Sequence, residues 1–283
     1  MNTVAETLKI AARALASHSE SPRLDAELLL GKVLGVARPQ LIVCAAESIA
    51  EEALRRYRNL IDQRVHGAPI AYLTGTREFW SMSLKITPAV LVPRPETETL
   101  VERALALLGA DQQRSILDLG TGSGAIALAI ASERPHAQVT GADISPAALG
   151  VARENAGALA LRQVNWRQGS WFEAVPGERF DMVVSNPPYV AAGDPALAAL
   201  AAEPALALTS GPTGLEALTA IVEQAASHLE PGGHLLLEHG SSQAHEVARL
   251  LERHGFRDVC SYHDYSGSPR VTLGIVNSQR ELS

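Results

Sequence analysis

Cysteine is scarce: Cys44 and Cys260 are the only two in 283 residues. So widely separated, they fit neither a metal site nor a disulfide framework, and they read as reduced, buried thiols of a cytosolic protein. No apolar run approaches the length needed to span a bilayer. Met1 to Leu15 lacks the basic stretch followed by a continuous apolar segment that marks a secretory signal, so the expected location is the cytoplasm. Positive charge is in deficit as well. Lys and Arg number 24 against 31 Asp and Glu, a formal net charge of -7, which argues against a broad non-specific nucleic-acid binder but not against a local basic patch. No His, Cys and acidic cluster has metal-ligand spacing, and no metal is expected. Internal repeats and low-complexity tracts are missing too. What is present is a 46% apolar chain, long enough for one large or two modest domains with a real core.

The first seventy or so residues read as helical. Thr3 to Ala16 carries apolar residues at helical spacing, and Ser21-Pro22 is a helix start, Ser accepting from free first-turn amides and Pro tolerating the first position. Ser48 and Glu51 have capping-box spacing, with Leu54, Tyr57, Leu60, Ile61 and Val65 following on one face. Phe79 to Ile86 alternates as a short strand or hairpin. The expected division is a helical domain over 1–72, a hairpin linker over 73–93 and a larger domain over 94–283. From Arg114 onward strands and helices alternate: strands over 115–119, 138–142, 164–167, 180–185 and 235–238, with helices over 124–132, from Ser145-Pro146, 215–229 and 243–254. Two last strands, 259–262 and 270–276, read as an antiparallel pair. The expected class is α/β, a Rossmann-like sheet with helices on both faces.

Two strand ends carry chemistry. Gly120-Thr121-Gly122-Ser123-Gly124 lies between a strand and a helix, where glycine allows a tight turn and close approach of a ligand to the backbone. Such a loop alone fits a dinucleotide or a phosphate too. Asp118 precedes it, and Asp143 ends the next strand, where a carboxylate can accept from both hydroxyls of a ribose. No Gly-Lys-Ser/Thr follows, which disfavours a phosphate-cradling loop.

The second end is Asn186-Pro187-Pro188-Tyr189, after the apolar run Phe180 to Ser185. An amide or exocyclic amine nitrogen is a poor nucleophile because its lone pair is delocalised, as in the planar peptide bond. Two acceptors, one for each N–H, would fix it: the Asn186 side-chain oxygen and the Pro187 carbonyl. Pro187 and Pro188 have no N–H to compete, and each proline restricts the residue before it, so the segment is stiff in advance. Tyr189 can lay its ring on a planar acceptor or near a cationic sulfur. The bland alternative is an ordinary turn after a strand.

The loop, Asp143 and the Asn186 segment together resemble class I S-adenosylmethionine-dependent methyltransferases. That likeness implies a bound S-adenosylmethionine, left as S-adenosylhomocysteine. The backbone of Gly120, Thr121, Gly122, Ser123 and Gly124 would lie beside its methionine part, Asp143 would bind the ribose, Trp171 would neighbour the adenine, and Asn186 would border the reacting end. Many relatives have Asp where Ser170 stands, which leaves Trp171 as the adenine contact. Further runs carry a narrower likeness: Ser21 to Leu30, Arg64 through Leu73-Thr74-Gly75, Glu78-Phe79-Trp80, Pro93-Arg94-Pro95-Glu96-Thr97-Glu98, Leu235 to Gly240, Asp264-Tyr265 and Arg270 to Gly274. They resemble the release factor glutamine methyltransferase (PrmC/HemK) family over nearly the full length. The chain departs from that family at Leu200-Ala201-Ala202, where relatives often carry an Arg and an aromatic before Glu-Pro.

The family implies methylation of the side-chain nitrogen of Gln in the Gly-Gly-Gln motif of peptide chain release factors. Asn186, Pro187 and Tyr189 would be catalytic, and Pro188 and Phe79 would join them in holding substrate. The helical domain would dock the release factor, which is the expected partner of a monomer, without nucleic acid or membrane. The alternatives are a base-amino methyltransferase of rRNA or DNA and a non-catalytic release-factor binding module. Arg94 reads as a brace of the linker or pocket, or as a surface ion pair. Glu98 reads as a solvated first-turn acid, and His239 as structural.

Overall fold

Apolar residues recurring every three or four positions near the start of the chain set the first helices. In the computed structural model, which describes residues 2–109 and 112–277, these are α1 (Val4–Ala14), α2 (Pro22–Leu34), α3 (Arg38–Val43), α4 (Glu51–Val65) and α5 (Ile70–Thr74). Val4, Leu8, Leu15, Leu29, Leu30, Leu54 and Tyr57 form their common core, each such side chain contributing roughly 1.5–3 kcal/mol by leaving water. Thr3 caps α1 through its hydroxyl. Ser21 precedes α2 but makes no side-chain cap. Ser19 takes over locally: its hydroxyl accepts from the Ser21 amide and donates to the buried Asp25. Asp25 is also paired with Arg64 of α4 at 2.8 Å. The capping box expected from Ser48 does not form. α4 starts at Glu51 with Ala50 as its cap, and Ser48 instead bridges backbone to backbone with Thr3.

The compact division of the chain falls between Thr76 and Arg77. α5 runs past residue 72, and residues 1 and 278–283, the outer ends of the expected domains, lie outside the described residues. A hairpin of β1 (Thr76–Phe79) and β2 (Met82–Lys85) turns through Trp80 and Ser81, both at positive φ, as a two-residue hairpin turn requires. A short 3-10 turn over Pro95–Thr97 leads into α6 (Glu98–Leu107). Glu98 is half-buried rather than solvated, because its carboxylate accepts from the Trp80 amide at 2.9 Å.

The alternating region builds β3 (Ser115–Leu119), α7 (Ala125–Glu133), β4 (Gln138–Asp143), α8 (Pro146–Ala158), β5 (Asn165–Gln168), β6 (Phe180–Ser185), the single-turn helices α9 (Ala196–Ala199) and α10 (Ala205–Leu208), α11 (Glu216–Ala225), β7 (Leu229–Glu238), α12 (Ala244–Arg253), β8 (Arg257–His263) and β9 (Pro269–Ile275). Among the described residues seven strands form one sheet in the order β5-β4-β3-β6-β7-β9-β8. The first five are parallel, and β9 is antiparallel to both its neighbours. Parallel strands covered on both faces are continuously apolar, and β3 and β6 obey this except for Asp118, Asp181 and the strand ends. Leu117, Leu119, Val183, Leu235 and Leu237 pack under α11 and α12 with Leu218, Ile221, Val247 and Leu251. The strand order reverses between β3 and β6, which places a crevice at their carboxyl ends.

The cysteines differ from expectation. Both are free, but Cys44 is half-buried and Cys260 exposed. Cys260 sits on β8, the last strand of the sheet, whose residues are exposed or half-buried throughout. Among the described residues no helix is long and apolar enough to cross a membrane, and no three His, Cys, Asp or Glu side chains are grouped to hold a metal ion.

Candidate functional site

Parallel register brings the three strand ends together. Leu119 of β3 lies opposite Ala142 of β4 on one side and Ser185 of β6 on the other. The residues that follow, the glycine loop, Asp143 and Asn186, therefore share one edge of the sheet. A cavity of about 320 Å³ opens there, and Gly120, Gly122, Asp143, Trp171, Asn186 and Pro188 all line it.

Gly120, Gly122 and Gly124 take φ of 70°, 57° and 82°, a conformation that side chains disfavour. The loop is braced from behind. Thr121 donates to Asp118 at 2.5 Å, and the Ala127 amide donates to the same carboxylate oxygen at 3.2 Å. Asp118 is wholly buried, with its other oxygen unpaired, and burial pushes its carboxyl up to about 7. Thr121 and Ser123 are buried and Gly124 packs on Trp166, so these three support the loop without forming the cavity wall.

Asp143 is held by backbone. Its two oxygens accept from Gly122 and Ser145 amides, each at 2.8 Å. Burial raises its carboxyl, and the amides oppose that shift. Trp171 takes a left-handed φ of 47°, and its ring lies 3.6 Å from where a Cβ on Gly120 would stand. A carboxylate beside a glycine backbone, with an indole and the apolar Ile144 and Ala148 on the wall, suits a nucleoside: the acid takes the diol, and the apolar surface takes the base.

At the second strand end, Ser185 donates to the Leu119 carbonyl at 2.7 Å and locks β6 to β3. The Asn186 amide nitrogen donates to the Thr97 hydroxyl at 3.2 Å. Among the described residues nothing donates to its oxygen, and the residue borders the cavity. Pro187 is buried. Tyr189 lies off the wall. Its hydroxyl stands 3.5 Å from Glu238, and its carbonyl accepts from Gln243 at 3.1 Å. Burial, aided by the Glu238 charge, pushes the phenol up to about 12. Phe79 is 1% exposed, within the packed interior, and does not line the cavity.

Arg94 is not a surface pair. It binds the buried Glu203, which also accepts from the Val92 amide at 3.0 Å. Glu203 thereby anchors the segment that follows, whose Pro204, Leu206 and Thr209 close another side of the cavity. His239 is fully buried, bonded to Thr272 at 2.8 Å and to the Gly240 carbonyl, and burial lowers its pKa; it is structural. Sequence reasoning gave no role to Thr97, to Glu203 or to the wall from residue 204 on. Thr97 was visible only as a member of the Pro93 to Glu98 run.

A parallel sheet that reverses order over a crevice, with a glycine loop and an acid at successive strand ends, is common to dinucleotide-binding folds and class I methyltransferases, and the family matches place the chain among the methyltransferases, whose methyl donor is S-adenosylmethionine. Residues 97–260 match the methyltransferase small domain family, and residues 6–75 match the PrmC N-terminal domain. The chain is 48% identical over 258 residues to a release factor glutamine methyltransferase of Salmonella typhimurium, covering 90% of this chain and 93% of that protein. It therefore belongs to the release factor glutamine methyltransferase family. A solved protein-(glutamine-N5) methyltransferase (release factor-specific) from Alicyclobacillus acidocaldarius is 31% identical, covering 69% of this chain and 99% of that one, with a TM-score of 0.43. A T. thermophilus 16S rRNA N2 methyltransferase, solved with AdoMet and guanosine, shares the fold at a TM-score of 0.54 and 23% identity, over 71% of this chain and 50% of that one.

Proposed function

We propose that the chain methylates the side-chain amide nitrogen of the Gln in the Gly-Gly-Gln motif of peptide chain release factors, giving N5-methylglutamine. S-adenosylmethionine supplies an electrophilic methyl carbon. Asp143, the backbone of Gly120 and Gly122, and Trp171 hold this donor. The observation that carries the reading is the Asn186 amide, whose NH2 end is tied to Thr97 and whose oxygen is left for a ligand.

Asn186 then accepts from one N–H of the substrate carboxamide and the Pro187 carbonyl accepts from the other. Held by two fixed acceptors, the nitrogen keeps its lone pair aimed at the methyl carbon, and orientation of this kind removes much of the barrier. The C–N bond forms as the S–C bond breaks, and the nitrogen gives up a proton. Pro188 walls the acceptor side, while Tyr189 and Phe79 back it from the interior. The helical residues 1–72 dock the release factor, 73–93 link, and 94–283 carry out the transfer. The enzyme works as a cytoplasmic monomer and needs no nucleic acid, in keeping with its net charge of -7.

The test is mass spectrometry of release factor after incubation with the chain and S-adenosylmethionine. One added methyl group on the Gly-Gly-Gln glutamine is expected. Methyl incorporation into rRNA or DNA alone, or binding to release factor without turnover, would overturn the reading.

A further inference from the structure

Glu238 ends β7 beside the Asn186 segment. Because Ser185 and Leu237 are register partners, the next positions, Asn186 just past β6 and Glu238 at the end of β7, where it pairs with Val271 of β9, are neighbours. Glu238 is 1% exposed, and its Oε2 has no hydrogen-bond partner. Buried carboxylates are costly unless satisfied, so an underserved one next to the substrate-facing amide calls for an explanation. Its surroundings come from three other elements. Thr97 and Tyr189 favour its anion through their hydroxyls, Arg270 of β9 favours it by charge, and Glu96 opposes it. Arg270 is shared with Asp264 at 3.2 Å. On β7's own continuation, burial lowers the pKa of the neighbouring His239.

A threonine hydroxyl has one proton to give. At Thr97 the oxygen is taken by the Asn186 Nδ2–H, which leaves its own proton uncommitted. We propose that Glu238 is a positioning residue: through Thr97 it decides which end of the Asn186 amide faces the cavity. This rests on the reading of Asn186 as acceptor for a carboxamide N–H. With Glu238 ionised, the Thr97 hydroxyl turns its proton toward the unpartnered carboxylate oxygen, receives from Asn186 nitrogen, and leaves Asn186 oxygen to the substrate. With Glu238 protonated, the carboxyl becomes a donor to Thr97, and Thr97 is free to donate to Asn186. That favours the turned amide, whose NH2 would meet the substrate NH2 donor to donor. Burial pushes the Glu238 carboxyl up to about 7, so the switch lies in the neutral range.

Two measurements test this. In the unliganded full chain, the Asn186 side-chain amide resonances, followed by NMR across neutral pH, should move with one titration, and should not move in Glu238→Gln. In steady-state kinetics, kcat of the unaltered enzyme should rise with pH through the same titration. Glu238→Gln should lower kcat roughly tenfold, the equivalent of one hydrogen bond to a charged group, flatten that rise, and leave KM for S-adenosylmethionine unchanged. Thr97→Val should do the same. The idea fails if the Asn186 resonances of the unaltered protein ignore pH, or if Glu238→Gln keeps the original kcat and pH profile. Should Glu238→Gln not fold, the titration of the unaltered chain decides alone. That titration needs no methyl acceptor, so it can succeed or fail independently of glutamine methylation.

Discussion

Asn186 is held by one end and used by the other. In Asn186→Ala the substrate nitrogen loses an oriented acceptor, and kcat should fall by the equivalent of about 2–4 kcal/mol, as when one preorganised hydrogen-bond partner is removed from a transition state. Calorimetric affinity for S-adenosylmethionine should stay close to that of the unaltered chain. Asp143→Ala should reverse the pattern. The carboxylate that spans the Gly122 and Ser145 amides is gone, so calorimetry should show weakened donor binding before any effect on saturated turnover. Both residues could be singled out from sequence because each is a polar side chain at or just past the carboxyl end of an apolar strand, and in a parallel sheet those positions meet. Thr97 could not, since its partner Asn186 is 89 positions away and nothing local in a proline-rich run announces a distant amide. The cysteines misled for a related reason: residue type favours burial on average, but the place of β8 at the end of the sheet decided it for Cys260.

Among the elements, β4 is held close against β5 and the glycine loop at Gly141. A Cβ on Gly141 would come within 2.5 Å of the Trp166 ring and 2.9 Å of the Thr121 hydroxyl. Gly141→Ala should therefore force β5 or the glycine loop aside and cost about 1–3 kcal/mol, as overpacking does. Urea unfolding followed by Trp fluorescence would register it, with an unchanged midpoint as the contrary result. Apart from β7 and the end of α11, strands and long helices were legible to within a few residues because hydrophobic periodicity spans the whole element. Helix starts were less so. At Ser21 a nearby serine took over the polar work, and at Ser48 the backbone was already paired with Thr3. The helix expected to reach residue 229 ends at Ala225, and β7 begins at Leu229, before Pro231-Gly232-Gly233. Pairing of Phe180 with Leu229, followed by a register shift, extends the strand across what reads locally as a turn. The single-turn helices α9 and α10, the second of which reaches the cavity wall, carry too few residues for any period to show.

For the molecule as a whole, two buried carboxyls oppose stability at neutral pH. Asp118 and Glu238 both titrate near 7 in the folded state, raised from 3.8 and 4.5 by burial. Between those ordinary values and 7 the folded chain holds protons that the unfolded chain has released, so their contribution falls as pH rises. Asp264 acts in the other direction, held down to about 2 by Ser266, backbone amides and Arg270, and its contribution is lost only in strong acid. Comparing Glu238→Gln with the unaltered chain isolates one carboxyl. The variant's advantage in Tm should be larger at about pH 8 than at about pH 5, and an advantage independent of pH would contradict the assignment. The cavity wall has a different consequence. Among the described residues Asp143 is its single ionisable group; the remainder is glycine backbone and uncharged side chains. A donor that arrives with a positive sulfur and departs without one is told apart there by one anion. The spent molecule should therefore be gripped less firmly than the fresh one, and added salt, by screening that anion, should narrow the gap between their dissociation constants.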